Sequence, residues 1–316
     1  MSSTLSGPLT ARLRADTAAA AEMTAIVVSY ECRELLRSCL ASLARQTIGA
    51  RLRVVVVDNA SADGTGEMVR SEFPWVQLIE NERNEGFGRA SNAGLRLVES
   101  GHVLMLNPDT VLPEDGLERA LAAMLERPTV GVLGCRLLQP DGAVDHAARR
   151  QIPTPATSLA YFLKVRRRGG GGAYTDLAAF DREGVVGAVN GAFMLLRYEV
   201  VQQVGGFDEA FWMYGEDLDL CLRVTQAGWD VYYWPGVDVM HVKGGSSGRA
   251  RSLRVNWAFH HAMWIFFHKH HRRSYGAWVS ALVLTGIAAR FVLSTAWSAL
   301  ARTSGAARRR LHREGS

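Results

Sequence analysis

VVVVDNASADG, residues 54–64, reads as four β-branched residues followed by a turn. The run Val54 to Val57 has no polar alternation, so it predicts a strand covered on both faces. Asp58 to Gly64 is turn chemistry leading into a helix. The same alternation repeats outward. Upstream, Ala25 to Val28 is a short apolar run ending at Ser29-Tyr30, and Leu35 to Leu43 has apolar residues at helical spacing. Downstream, Val76 to Ile79 fits a strand, Gly86-Phe87-Gly88 opens a helix to about Val98, and Val103 to Leu106 is a buried strand ending at Asn107-Pro108-Asp109. Val130 to Leu133 completes the set. Strands alternating with helices predict an α/β, Rossmann-like, mostly parallel sheet with flanking helices, whose ligands gather beyond the carboxyl ends of the strands. Tyr30, Asp58 and Asp109 all stand at such ends.

The 316 residues suffice for one large or two ordinary domains, and 48% hydrophobic with 21% charged residues excludes a disordered chain. Cys32, Cys39, Cys135 and Cys221 are too few for a disulfide scaffold and lack the CxxC spacing of a zinc ribbon. The net charge of +5 hides a division: from His241 onward there are 13 Lys and Arg against one acid, Glu314, while residues 1–240 hold 23 bases and 30 acids. An acidic body with a basic tail points to an anionic partner surface. Residues 1–22 read as a flexible tail. Arg166 to Gly172 reads as an insertion, either a loop over the site or a plain linker.

Three groups of residues carry possible chemistry. Asp109, behind a buried strand and a proline, suits a divalent cation shared with phosphate oxygens, although an Asp there is also a common turn former. Trp212 to Arg223 places Glu216, Asp217 and Asp219 at a helix start beside Phe207, Phe211, Trp212 and Tyr214. Such carboxylates either complement the helix dipole or, partly desolvated by the rings, serve as a proton acceptor. His241, before Lys243 to Ser247, is either a metal ligand or structural.

In order along residues 24–247, these pieces resemble the family-2 glycosyltransferases, most closely the rhamnosyltransferase-like branch. Ala25 to Tyr30, Val54 to Gly64, NEGFGRASNAG from Asn84 and Asn107-Pro108-Asp109 resemble the nucleotide-sugar half. GGFDE from Gly205, WMYGED from Trp212 and His241 to Ser246 resemble the acceptor half. The resemblance implies a GT-A fold and inverting transfer from a nucleoside-diphosphate sugar. It implies nucleotide contacts at Ser29, Tyr30, Asp58, Asn84, Gly86, Arg89 and Asn107. It also implies Mg2+ or Mn2+ at Asp109 and His241, acceptor contacts at Trp212, Tyr214 and Glu216, and Asp217 as general base. Asn107 departs from the pattern, since the first DXD position is not an acid. The branch suggests dTDP-rhamnose, with galactose, galactofuranose and mannose donors open. The processive signature QxxRW is absent, so one sugar per encounter is expected.

Two other functions fit single features. Gly86-Phe87-Gly88 imitates the opening of a dinucleotide-binding GxGxxG, with Asp109 near the expected acidic offset, although Ser91 replaces the third glycine. A non-catalytic nucleotide or lipid scaffold would explain Asn107. Residues 23–247 are therefore expected to form the transferase domain and 248–316 a basic, aromatic-rich helical extension.

In that extension His260 to Arg273 interleaves bases with Trp and Phe, as at an anionic lipid surface, and lacks a nucleic-acid-binding pattern. Gly276 to Ala289 is uncharged but short of the hydrocarbon thickness. Gly276, Ser280, Arg290, Ser294 and Ser298 share a helical face, which favours a helix lying in the interface over one that spans the bilayer or packs on the domain. A lipid-linked or glycan acceptor on the cytoplasmic side of the cell membrane follows as the expected setting.

Overall fold

β1 (Met23–Ser29), β2 (Leu52–Asp58), β3 (Gln77–Glu80) and β4 (His102–Leu106) run parallel in the spatial order β3-β2-β1-β4. They come from a computed structural model that describes residues 22–155, 157, 180–242 and 253–314, with side chains to residue 298. Val54 to Val57 are at most 2% exposed, as their unbroken apolar run requires. α1 (Arg33–Ala44), α2 (Thr65–Glu72) and α3 (Phe87–Leu95) connect these strands. The register Ser29↔Asp58 brings two expected site residues to one sheet edge.

The second half of the sheet is mixed rather than parallel. After β5 (Thr110–Val111) and α4 (Gly116–Leu125), β6 (Val130–Leu138) extends five residues beyond the expected strand. The short strands β7 (Arg149–Arg150), β8 (Gly184–Val185) and β9 (Ala188–Val189) precede β10 (Phe193–Arg197), which inserts antiparallel between β4 and β6. α5 (Tyr198–Val204) and α6 (Glu216–Gln226) lead to β11 (Asp230–His241), which is parallel to β6 and antiparallel to β5 and β8. β11 breaks register between Trp234 and Asp238, around Pro235, where a bulge tolerates the missing donor. It then delivers His241 opposite Thr110.

α7 (Leu253–His270) and α8 (Ala277–Glu314) form an antiparallel hairpin. Asn256 Nδ2 donates to Ser294 Oγ and Thr295 Oγ1, both at 2.9 Å, and His260 meets Phe291 edge-on. Ala262, Ile265 and Phe266 seat α7 against Phe211, Tyr214, Leu218 and Leu222 of the domain. The helix runs straight through Arg290, so the apolar stretch is Ala277–Ser298, 22 residues rather than 14. At 1.5 Å per residue that is about 33 Å, long enough by length and composition to cross a bilayer. Arg290, Ser294 and Ser298 of the polar stripe are half-buried, with Ser294 bonded to Asn256 of α7, while Gly276, Trp278, Leu282, Val292, Leu293 and Trp297 are exposed. The expected 1–22 tail (all but Glu22), the Arg166 to Gly172 insertion and Lys243 to Ser247 lie outside the described residues.

Candidate active site

The turn after β2 organises the first cluster. Asp58 is buried, and its carboxylate accepts from Ser61 Oγ at 2.5 Å and Ser61 N at 3.2 Å. Burial pushes its pKa up, and the Ser61 bonds oppose that shift. Each oxygen keeps acceptor capacity for a further donor. Asn59, not singled out by its sequence, is the hub: it donates to Gly86 O and Asn84 Oδ1 and accepts from Asn81 Nδ2 and Glu85 N. Asn84 Oδ1 accepts from Gly86 N at 3.0 Å. Asn81 N donates to the Asp58 carbonyl at 2.9 Å, which ties the Asp58 backbone to the network of Asn84 and Gly86. Ser29 is fully buried with its hydroxyl against Cys32 Sγ, whereas Tyr30 is 42% exposed beside it. Arg89 is held by Glu85 and Glu209, tying α3 to the acceptor half.

Gly86 and Gly88 have a different task from a pyrophosphate cradle. A Cβ on Gly86 would stand 2.4 Å from Trp212 O, and Phe87 N donates to that same carbonyl at 2.8 Å. A Cβ on Gly88 would press on Phe211 O and Asp208 O. The glycines admit the Asp208 to Trp212 backbone, which removes the basis of the dinucleotide reading. Gly86 also has φ +87°, in the region that only glycine adopts without strain. Gly86→Ala is therefore expected to destabilise the fold by about 2–3 kcal/mol, read as a lowered melting temperature. An unchanged melting temperature would mean that Trp212 does not lie on this glycine.

The β5–β11 pairing assembles the second cluster. His241 Nε2 stands 3.4 Å from Asp109 Oδ1, a buried oxygen with no well-formed hydrogen bond. Its Nδ1 lies 3.1 Å from Oδ2 of Asp145, which is itself fully buried. Burial would lower the imidazole pKa, but Asp109 and Asp145 together push it up to about 9. Among the described residues no three His, Cys, Asp or Glu side chains form a complete metal cage. An orphaned carboxylate oxygen, an imidazole nitrogen facing it and a second carboxylate fixing the ring from behind nevertheless fit a divalent cation completed by outside oxygens. Asn107 works through its backbone: its carbonyl accepts from Thr110 Oγ1 at 2.7 Å, and its N–H donates to Ala192 O.

The third cluster opens α6. Asp217 Oδ2 accepts from Arg150 Nη2 at 2.5 Å and Gly191 N at 3.3 Å. The β7–β9 pairing places Arg150 opposite Ala188, so a two-stranded ribbon carries the guanidinium to the carboxylate. The turn Asn190 to Ala192 therefore touches both Asp217 and the strand end that leads to Asp109. Beside it Glu216 is buried with Oε2 unpaired; burial, aided by the Asp217 charge, pushes its pKa up to about 8. Desolvation of one carboxylate was expected, and it falls on Glu216. Tyr214 has φ +72° and packs edge-on to Phe259, and Arg254 lies over the Trp212 ring at 4.3 Å.

Asp219 is the buried counterpart on the other side of the helix. It takes Arg223 Nε at 2.7 Å, Lys269 Nζ at 2.8 Å and His270 Nε2 at 2.7 Å. Burial raises its pKa, but these partners outweigh burial and hold it at about 2. Lys269 also meets Asp208, and His271 donates to Pro153 O at 2.8 Å. Half of the basic run expected to face lipid thus turns inward, drawn by Asp219 and Asp208, while His268, Arg272 and Arg273 stay exposed. Asp145 and Arg150 gave no sequence signal, because only nonlocal pairing brings them to the site.

Residues 20–260 match the sequence model of the family described as Glycosyltransferase like family 2. The chain is 31% identical over 260 residues to the N-acetylglucosaminyl-diphospho-decaprenol L-rhamnosyltransferase of Mycobacterium tuberculosis, covering 78% of this chain and 84% of that protein. It is 26% identical over 169 residues to the rhamnosyltransferase WbbL of Escherichia coli K12, 49% of this chain and 60% of that one. The mannosyltransferase PcManGT from Pyrobaculum calidifontis, solved with GDP-Man and Mn2+, shares the fold with a TM-score of 0.55 at 21% identity, over 90% of this chain and 79% of that one. On the match to its family model and the 31% relative, the chain belongs to the family-2 glycosyltransferases, with a GT-A fold.

Proposed function

We propose that this glycosyltransferase moves a single sugar, rhamnose from dTDP-rhamnose, to a hydroxyl of a lipid-linked glycan in cell-envelope synthesis, with inversion. The observation that carries the reading is the shared turn Asn190 to Ala192, which sets the Asp217 carboxylate beside the strand end bearing Asp109. Donor and acceptor are supported by the names of the relatives, two of which are rhamnosyltransferases and one of which acts on a diphospho-decaprenol glycan.

Asp217, oriented by Arg150 and the Gly191 N–H, takes the proton from the acceptor hydroxyl as it attacks. Inversion needs one such base on the face opposite the leaving diphosphate. Asp109 and His241 would hold Mg2+ or Mn2+, a cation that, when bound, stabilises charge on the leaving diphosphate. Asp58 receives the base, with Ser29, Tyr30, Asn84, Gly86, Arg89 and Asn107 around the nucleotide. Trp212, Tyr214 and Glu216 line the acceptor side. The exposed apolar face of α8 supports a membrane setting for a lipid-linked acceptor, and we place it on the cytoplasmic side.

A ligand held only by the native state raises the melting temperature by mass action. A panel of nucleoside diphosphates with and without Mg2+ or Mn2+ is expected to show a cation-dependent rise with dTDP. At 100 times the dissociation constant the stabilisation is about 2.7 kcal/mol, and Asp109→Ala should abolish it. A rise with NAD(H) and none with any nucleoside diphosphate would overturn the proposal.

A further inference from the structure

The outward face of α8 is uncharged along its whole apolar length. Trp278 is 91% exposed, Trp297 76%, Leu293 70% and Leu282 67%, while Arg290, Ser294 and Ser298 are half-buried and Ser294 bonds Asn256 of α7. The side toward α7 is mixed, with Ile287 and Phe291 beside Arg290 and Ser294, so the helix is apolar where a helix covering a water-soluble protein is polar. A continuous exposed apolar face of this length needs an apolar neighbour. From Leu253 to Ser298 there is no Asp or Glu, and the bases are Arg254, Lys269, Arg272, Arg273 and Arg290. Arg272 and Arg273 lie exposed at the hairpin turn. On α7 a second ladder stacks the exposed Trp257, Trp264 and His268 with the half-buried His261 at successive centroid spacings of 4.3, 5.6 and 5.1 Å. Tryptophan at the ends of an apolar face with cations and no acids matches the chemistry of a phospholipid leaflet.

Length alone would let α8 cross the bilayer, but its attachment argues for a different pose. α7 is fixed to the water-soluble domain at both ends and the middle: Arg254 over Trp212, Ala262 to Phe266 on Phe211, and Lys269, His270 and His271 on Asp208, Asp219 and Pro153. α8 is fixed along α7 by Asn256 and His260. A spanning helix must leave the domain, whereas this one is held along α7, which is itself fixed to the domain. We propose that α8 lies in the plane of one leaflet, its outward face embedded among acyl chains, and that the hairpin is a monotopic anchor. The anchor brings the Trp212–Arg254 edge of the acceptor side toward the surface where a lipid-linked substrate resides. Vesicle binding needs no nucleotide, so this proposal and the donor assignment fail separately.

Two measurements on the full chain test it. In flotation with phosphatidylcholine–phosphatidylglycerol vesicles the parent chain is expected to float, and Leu282→Glu with Leu293→Glu to lower the bound fraction at least tenfold. A parent that does not float, or a double variant that floats equally, would overturn the proposal. So would a parent that is a dimer without lipid and a monomer when so substituted, which would assign the face to a second copy. The second measurement separates lying from spanning. The four native cysteines are buried, and Glu126 is exposed. Glu126→Cys with Ser316→Cys, reconstituted and treated with an impermeant maleimide, is expected to yield chains carrying two labels or none. Chains carrying one label each would show the two sites on opposite sides of the membrane and overturn the in-plane pose.

Discussion

Asp217→Asn is expected to lower kcat for sugar transfer by about 10²- to 10⁴-fold, the usual contribution of a positioned general base, with the donor KM nearly unchanged. The asymmetry follows from the role. The carboxylate meets the acceptor proton only in the transition state, so its loss falls on kcat and not on ground-state donor binding. Asparagine keeps the shape and can still face Arg150 and Gly191, but it has no basic oxygen. The comparison that gives this meaning is Glu216→Gln. Burial beside the Asp217 charge pushes the Glu216 pKa up, which favours the uncharged acid that glutamine imitates and disfavours Glu216 as the proton acceptor. Its replacement is expected to change kcat less than about threefold. A near-full rate in Asp217→Asn with a collapse in Glu216→Gln, measured as nucleotide release at saturating substrates, would transfer the role to Glu216.

Asp219→Ala is expected to destabilise the protein by about 3–5 kcal/mol, the loss typical when one partner of a buried charge network is removed. It leaves Arg223, Lys269 and His270 facing each other without the carboxylate that reconciles them. Since the same group joins α6 to α7, the melting temperature should fall and α7 should become cleavable by protease before the sheet does. A pH dependence accompanies it. The Asp219 pKa is about 2 in the fold, below the ordinary carboxylate value of about 3.9. Its contribution is therefore present above about pH 4 and lost as the pH falls through about 2, roughly 2–3 kcal/mol by linkage. The stability difference between parent and variant should shrink across that window. A difference constant from pH 5 to pH 2 would show that Asp219 is not held ionised by its neighbours.

The parallel half of the fold was legible because burial on both faces leaves an unbroken apolar run, as in Val54 to Val57, and because turn chemistry such as Asp58 to Gly64 is local. β10 was not legible: its neighbours β4 and β6 precede it by about 60 to 90 residues, and no local signal announces an antiparallel insertion. The expected partners Asp109 and His241 do meet, but the pairing of β5 with β11 that joins them is nonlocal. Asp145 and Arg150 reach the site by the same kind of pairing. Helical spacing alone sets Asp217 apart from Glu216 and Asp219, one turn apart, but does not say which partner each side meets. Rotation of about 100° per residue sends Asp217 to Arg150 and Asp219 to α7, so tertiary partners separate their tasks. In α8 the polar stripe could be counted from the sequence, but which side faced α7 could not, and that decided the meaning of the apolar side.

The central claim is tested most directly by supplying dTDP-rhamnose, a lipid-diphosphate glycan acceptor and Mg2+ or Mn2+ to the purified chain and following the anomeric centre by NMR. The account predicts one rhamnosyl group per acceptor, one dTDP released for each, an inverted anomeric configuration and no transfer by Asp217→Asn. A retained configuration, or full transfer by that variant, would contradict it.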